Sequence, residues 1–410
     1  TTEIYTLSLH DALPIYANFA DYMDRRFFRL HTSRLCCTQI SIMKLKNISI
    51  VNYRNISQAD LSFSPKLNGF IGKNGMGKTN VLDAIYYLSF CKGTMSASDA
   101  FNLRHDTEFF MIQGEYESDG MGATEVVCSL KRGTRKRVKC DGKDYKRISE
   151  HVGKIPLVML SPADSQLVTG GSEERRRFMD MVISQYDAAY LNAAIRYERT
   201  LKQRNALLKA EDEPDRGVMD VLEEMMGADA EVVFNARRNF VEEFSPIFQR
   251  LYSRLCPDSH EQVTIKYDSH GFRGALQPQL ASWRERERLV GYSLHGVHKD
   301  ELVLELNGYP VKREASQGQT KTFFIAMKLA QYVFLKQHGE KRVPLLLLDD
   351  IFDKLDAERV ARIVEYVGGE DFGQIFITDT NRSHLDFILA HSNLDYRLFY
   401  VENGTVSPHE

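Results

Sequence analysis

A chain of 410 residues, 43% apolar and 27% charged, has the length for two or three domains and the makeup of a globular protein with a large core. Its formal net charge of −3 excludes a polycationic nucleic-acid coat, so any DNA contact has to come from a local basic patch. No run approaches ~18 consecutive apolar residues, so no membrane-crossing helix is predicted; six cysteines without a C-x-x-C pair exclude a zinc hook or ribbon and fit the reducing cytoplasm.

Residues 1–42 stand apart. They lack the basic start and apolar core of a signal peptide, and the stretch EIYTLSLHDALPI resembles the conceptual translation of a sequencing adapter. They are expected to be a non-native leader, the alternative being a genuine extension, with MKLKNISIVNYRN from Met43 as the natural start. Strands are predicted at 45–51, 59–63 and 67–71, then at 112–116, 125–130 and 137–140, with turns at Asp119-Gly120, Arg132-Gly133 and Asp141-Gly142. An apolar strand follows at 154–160.

The middle of the chain, 173–290, changes character. Val218, Val221, Leu222, Met225, Val232, Ala236, Phe240, Phe244, Ile247 and Leu251 recur at helical spacing, as one long helix or two broken near Gly227 or Pro246. Residues 186–208 are expected to run antiparallel to it. The bland form is a helical subdomain packed on itself, the sharper one a projecting arm. After 290 the pattern returns to strands at 302–306, 344–348, 374–378 and 397–401, with a helix at 319–336, which predicts a largely parallel sheet covered on both faces. The domains are therefore read as a head formed by 43–172 and 291–410 with an inserted arm, 173–290.

Chemistry concentrates in two places. Gly72, Lys73, Asn74, Gly75, Met76, Gly77, Lys78 and Thr79 spell G-x-x-x-x-G-K-T between a predicted strand and a helix, the setting a phosphate-binding loop requires. There Lys78 would reach the β- and γ-phosphates of ATP and Thr79 would ligate Mg²⁺. Four leucines then lead into Asp349 and Asp350, where a parallel sheet presents its ligands. Asp349 is assigned to the metal and Asp350 to the attacking water. Ser316, Gln317, Gly318 and Gln319 open a helix, as an ordinary N-cap or as a second anion cradle.

The combination of this loop, S-x-G-Q, LLLLDD and a following L-D resembles the ABC/SMC class of ATPase heads. Within that class FIGKNGMGKTNVLDAIYYLSF, SEERRRFMD, LKQRNALLK, HGVHKDEL and ASQGQTKTFFIAMKLA resemble the RecF family, from about Met43 to the carboxyl end. The resemblance implies an ABC/SMC-like α/β head with an inserted helical arm, and a cytoplasmic protein of DNA replication and recombinational repair induced with the SOS response. It implies ATP and Mg²⁺ as cofactors and a weak DNA-dependent ATPase. It also implies an ATP-held homodimer in which Ser316 to Gln319 act in trans. The partners implied are single- and double-stranded DNA at gaps and junctions, and the mediator proteins that help load a recombinase. Asp353 and Asp356 take the place of the loop acids after the acidic strand, and Gln166 that of the residue sensing Mg²⁺ and water. Thr378-Asp379-Thr380 lacks the histidine usual at the switch position, Val297 replaces a common proline, and Lys299 a common arginine. An ATP-binding scaffold, or an SMC-like ATPase without a repair role, is the alternative.

For DNA, Arg135, Lys136, Arg137 and Lys139 form the candidate patch, within a wider cluster of bases from Lys131 to Arg147. Arg175 to Arg177 are expected to brace the arm or to contact DNA. Arg284 to Arg288, alternating with Glu285 and Glu287, read as a solvated face. His298 fits either a satisfied core position or a functional one.

Overall fold

The computed structural model describes residues 41–409 apart from 95–97, 119–121, 258, 340–341, 353–356, 370, 381–385, 387–388 and 390–394. The expected leader, save Ser41 and Ile42, and the loop acids Asp353 and Asp356 fall outside the described residues.

In chain order the strands and longer helices are β1 (Ser41–Tyr53), β2 (Ile56–Ser62), β3 (Leu67–Ile71), α1 (Lys78–Phe90), β4 (Phe109–Ser118), β5 (Gly122–Lys131), β6 (Arg137–Cys140), β7 (Lys143–Asp144) and β8 (Leu157–Leu160). The middle supplies α2 (Ser172–Ile183), α3 (Ala188–Lys209), α4 (Arg216–Leu255), β9 (Val263–Asp268) and α5 (Leu276–Val290). The last part holds β10 (Glu301–Leu306), β11 (Tyr309–Pro310), α6 (Gln317–His338), β12 (Arg342–Val343), β13 (Leu345–Asp349), α7 (Ala357–Val367), β14 (Ile375–Asp379), β15 (Tyr396–Glu402) and β16 (Thr405–His409).

Two large sheets sandwich α1. A six-stranded sheet runs β16-β15-β3-β14-β13-β8, parallel except for the β15–β16 hairpin at its edge. A seven-stranded, mainly antiparallel sheet runs β12-β1-β4-β5-β6-β7, with β2 on β1. The leucines of β13 show how the parallel sheet uses both faces. Leu345 and Leu347 join the core around α1, while Leu346 and Leu348 join the core that reaches the arm. Because α1 is covered on both sides, Val81, Leu82, Ile85, Tyr87 and Leu88 are all buried, and no polar face is left. The predicted parallel sheet is thus present, joined by an antiparallel layer that the hairpin signals only outlined.

In the middle, α4 is one continuous helix of 40 residues, about 60 Å at 1.5 Å per residue. It passes through Gly227 and Pro246 without a break. Phe240, Phe244, Ile247, Phe248 and Leu251 pack on both sides of the proline, which offsets its missing N–H. Asp215 caps the start, its carboxylate accepting from the Val218 N–H at 3.0 Å.

Three expectations for the arm are revised. Val218, Val221, Met225 and Val232 are 49, 55, 47 and 40% exposed, and the buried face of that half is Met219, Glu223, Met226, Ala230, Val233 and Arg237. A charged line can be buried because each charge finds a counter-charge. Arg204 of α3, itself fully buried, bonds Glu223 at 3.0 Å and Glu287 at 2.5 Å. The run 284–288 is only in part a solvated face: Glu285 and Arg286 are exposed, but Glu287 is fully buried, and Arg284 bonds Glu223 and Asp220. Nor is the middle all helix. β9 pairs antiparallel with β10, tying the arm to the chain that re-enters the head.

Candidate functional site

β3, β14 and β13 are adjacent and parallel, so their carboxyl ends bring three segments to one edge. These are the loop 72–79, Thr378-Asp379 and Asp349-Asp350. Gly75 (φ 79°) and Gly77 (φ 115°) occupy the left-handed region. A Cβ on Gly77 would lie 2.7 Å from the Asn55 amide, and one on Gly72 would overlap the Val401 carbonyl oxygen. The loop ends in the N-terminus of α1, whose dipole favours an anion there.

The side chains interlock across the three strand ends. The Lys78 ammonium is buried and donates to the carbonyl oxygens of Gly72 (2.7 Å) and Lys73 (3.1 Å). Asp349 Oδ1 accepts from Thr79 Oγ1 at 3.0 Å and from Thr378 Oγ1 at 2.7 Å. Thr378 Oγ1 in turn accepts from the Asp350 N–H at 3.0 Å. Asp350 takes a left-handed conformation, φ 49°, uncommon for a residue with a side chain. Burial, joined by the negative charge of Asp350, holds the Asp349 carboxyl above its ordinary range. Burial lowers the Lys78 ammonium, opposed by Asp350, Asp349 and Asp379.

This arrangement suits a hard cation. A buried carboxylate and a threonine hydroxyl supply oxygen ligands side by side, 3.0 Å apart. Among the described residues no three His, Cys, Asp or Glu side chains form a self-sufficient metal cage. A Mg²⁺ here would therefore draw further oxygens from a bound phosphate.

Three residues of the site escaped the sequence reading. Asn55, in the β1–β2 turn, donates to the Met76 carbonyl at 3.1 Å and accepts from Asn80 at 2.7 Å, clamping the loop from outside. Asp83 of α1, fully buried, accepts from Tyr53 (2.6 Å), Arg54 (2.7 Å) and Thr94 (2.6 Å) and fastens the same turn to the helix. Asp379, buried at the end of β14, is the third acid acting on Lys78. VNYRN, quoted only as part of the expected natural start, holds Asn55 and the Asp83 partners Tyr53 and Arg54, but no spacing in it encodes their contacts with the loop and α1.

The remaining candidates are placed as follows. Ser316 caps α6 in a capping box: its Oγ accepts from the Gln319 N–H at 3.2 Å, and Gln319 Oε1 accepts from the Ser316 N–H at 2.7 Å. Gln319 also donates to Glu261 at 2.6 Å, while Ser316 and Gln317 are exposed. Gln166 is exposed just past β8, the neighbour of β13, so it opens on the same sheet edge as Asp349. Of the basic candidates, Arg135 and Arg137 are exposed and Lys139 half-buried. Lys136 is turned inward, donating to the Cys91 carbonyl (2.5 Å) and to Asp99 (2.8 Å). That corrects its place in the DNA patch: its ammonium is committed to the head.

The more specific motifs turn out to be braces. Arg175 makes a two-pronged pair with Glu301 (2.6 and 2.8 Å), and Arg176 donates to the Asp300 carbonyl at 2.8 Å. Arg237 joins Asp180 of the RRRFMD stretch to Asp300 of HKD, at 2.7 Å each. His298 is a satisfied core residue, with Tyr197 Oη at 2.7 Å on one ring nitrogen and the Ser293 carbonyl at 3.0 Å on the other. Burial pushes it down to about 4.

Residues 44–407 match the family model described as RecF/RecN/SMC N terminal domain. A relative from Phocaeicola vulgatus, named DNA replication and repair protein RecF, is 57% identical over 365 residues, 89% of this chain and 98% of its own. The chain belongs to the RecF family. A Porphyromonas gingivalis relative of the same name is 48% identical over 365 residues, covering 89% of this chain and all of its own length. A solved RecF, described as the structure of the recombination mediator protein RecF-ATPrS in RecFOR pathway, superposes with a TM-score of 0.81 at 26% identity. It covers 90% of this chain and 98% of that one. An Smc head with an extended coiled coil from Pyrococcus furiosus superposes with a TM-score of 0.53 at 14% identity, over 90% and 96% of the two chains, a likeness of fold. The architecture is the ABC/SMC-type ATPase head that the motifs implied. Among the described residues no helix is long and apolar enough to cross a membrane.

Proposed function

We propose that this RecF-family chain is an ATP-dependent DNA-binding protein of DNA replication and recombinational repair. The reading rests on one observation above others. The phosphate loop, the Thr79–Asp349 pair and Asp350 meet at three adjacent strand ends in a chain whose relatives carry the repair name. The solved relatives described with ATP and with an ATP analogue support ATP as the nucleotide.

ATP enters with its phosphates against the loop and the α1 N-terminus. Lys78 exchanges two neutral carbonyl acceptors for anionic phosphate oxygens, so that its charged donor meets an opposite charge. Thr79 and Asp349 would hold Mg²⁺, whose contribution when bound is to neutralise the charge on the phosphate oxygens. Asp350, held by Thr378, orients the attacking water. The exposed Ser316 and Gln317, with Gly318 and Gln319 behind them, close on the γ-phosphate of a second copy, so that ATP joins two heads on DNA and slow hydrolysis releases them. Gaps and junctions are the expected DNA, with mediator proteins as further partners in loading a recombinase.

Sedimentation of the full chain with ATP and gapped duplex tests this scheme. Lys78→Ala is expected to weaken ATP binding by about tenfold to a hundredfold, from the loss of charged hydrogen bonds, and to stay monomeric. Asp350→Asn is expected to accumulate as an ATP-bound dimer on DNA. A monomeric Asp350→Asn protein at saturating ATP would refute the scheme.

A further inference from the structure

At one end of the antiparallel sheet the structure leaves an aromatic ring in the open. Phe109, the first residue of β4, is 47% exposed although its neighbour Phe110 is fully buried. The register sets Phe109 opposite Lys131, and Met111 opposite Ser129, which itself faces Arg137 on β6. Directly paired residues share a face, so Phe109, Lys131 and Arg137 lie together on the outer side of the sheet. Beside them the turn after β5 folds back, its Thr134 N–H donating to the Lys131 carbonyl at 3.0 Å.

Between turn and strand lies a cavity of about 530 Å³, lined among others by Phe109, Leu130, Lys131, Thr134, Arg135 and Arg137. Its size falls within the roughly 300–1,000 Å³ typical of small-ligand sites. Its two nearby acids are engaged: Glu108 faces Arg132 at 3.8 Å, and Asp144 pairs with Arg137 at 2.9 Å. Further along the same face the sheet turns acidic, with Glu115 opposite Glu125 and then Glu117. A polyanion on this surface is therefore confined to the end that carries Phe109.

Phosphates alone would need only the bases. An aromatic ring among them answers to a planar partner, and a base inside duplex DNA has no free face to offer. We propose that this cleft takes an unpaired base of single-stranded DNA, stacked on Phe109, with Lys131 and Arg135 on the flanking phosphates. The inference rests on the DNA-binding reading above and gives the unpaired nucleotides of its gaps and junctions a place on this sheet edge.

The test uses the full chain with ATP and two DNAs, a blunt duplex and the same duplex with a single-stranded overhang carrying 2-aminopurine. The parent protein is expected to quench the overhang fluorescence. Phe109→Ala should lose the quenching and bind the overhang DNA on the order of tenfold more weakly, the value of one base–aromatic stack, with blunt duplex unchanged. Phe109→Trp should keep both signals. Charge reversal of Arg135 and Lys131 should weaken both DNAs and flatten the salt dependence. Undiminished quenching by Phe109→Ala, or an equal loss on blunt duplex, would overturn the base site while leaving DNA binding intact. A parent chain that binds neither DNA would overturn the DNA-binding reading itself.

Discussion

Arg204→Ala is the sharpest test of how the arm is held. The guanidinium has no exposure and lies between two carboxylates that have none either. It donates twice to Glu223 (3.0 and 3.2 Å), once to Glu287 (2.5 Å), once to Ser293 Oγ (2.7 Å) and once to the Leu280 carbonyl (3.4 Å). Glu223 would retain Arg284, at 2.8 and 2.6 Å. Glu287 would retain only the N–H groups of Leu294 (2.6 Å) and His295 (3.2 Å) and the His295 ring at 3.5 Å. The loss thus amounts to one buried charge left short of a cation, which costs about 3–5 kcal/mol. Urea denaturation measures it, and the one tryptophan of the chain supplies a local probe, since the Trp283 ring lies 4.4 Å from that of His295. Arg204→Met with Glu287→Gln should recover most of the stability, because the orphaned charge is then gone. A loss below about 1 kcal/mol for Arg204→Ala would place the pair in the range of exposed ion pairs and refute the reasoning.

Two further outcomes follow from the same geometry. His298 has its folded pKa lowered to about 4 by burial, so the unfolded chain binds the proton first; stability present above about 6.5 should drain away as pH falls toward 4, by on the order of 3 kcal/mol. His298→Gln should flatten that part of a stability-versus-pH curve, and an unchanged slope would exclude this residue as its source. Gly72→Ala should destabilise by about 1–3 kcal/mol in thermal melts and weaken a fluorescent ATP analogue, because the new methyl meets the Val401 backbone rather than a movable side chain.

Much of the geometry of the candidate nucleotide site was legible because its parts are local. The loop 72–79 carries its own strand and helix signals, and four leucines before Asp349 announce a strand buried on both faces. The resemblance then supplied the pairing of the two. Asn55 and Asp379 were not legible, since their roles depend on contacts across the sheet that no spacing encodes. The buried charges of the arm were misread for a physical reason. Arg and Glu are ordinarily solvated, so Arg284 and Glu287 looked like a surface, and only the convergence of α3, α4 and α5 brings each its counter-ion. The same rule failed at Lys136, whose charge looked available among exposed neighbours yet ends on Asp99.

The unbroken course of α4 has a consequence for dissecting this chain. Phe240, Phe244 and Phe248, in its second half, share one apolar cluster with Leu346 and Leu348 of the parallel sheet, while its first half meets α3 and α5 in the arm. A fragment cut at the edges of the helical middle would carry those phenylalanines away from the head and leave both pieces with bare apolar surface. Limited proteolysis should accordingly spare α4 and nick only the connections around it. The arm and the head are then expected to melt as a single unit, because one apolar cluster runs through both.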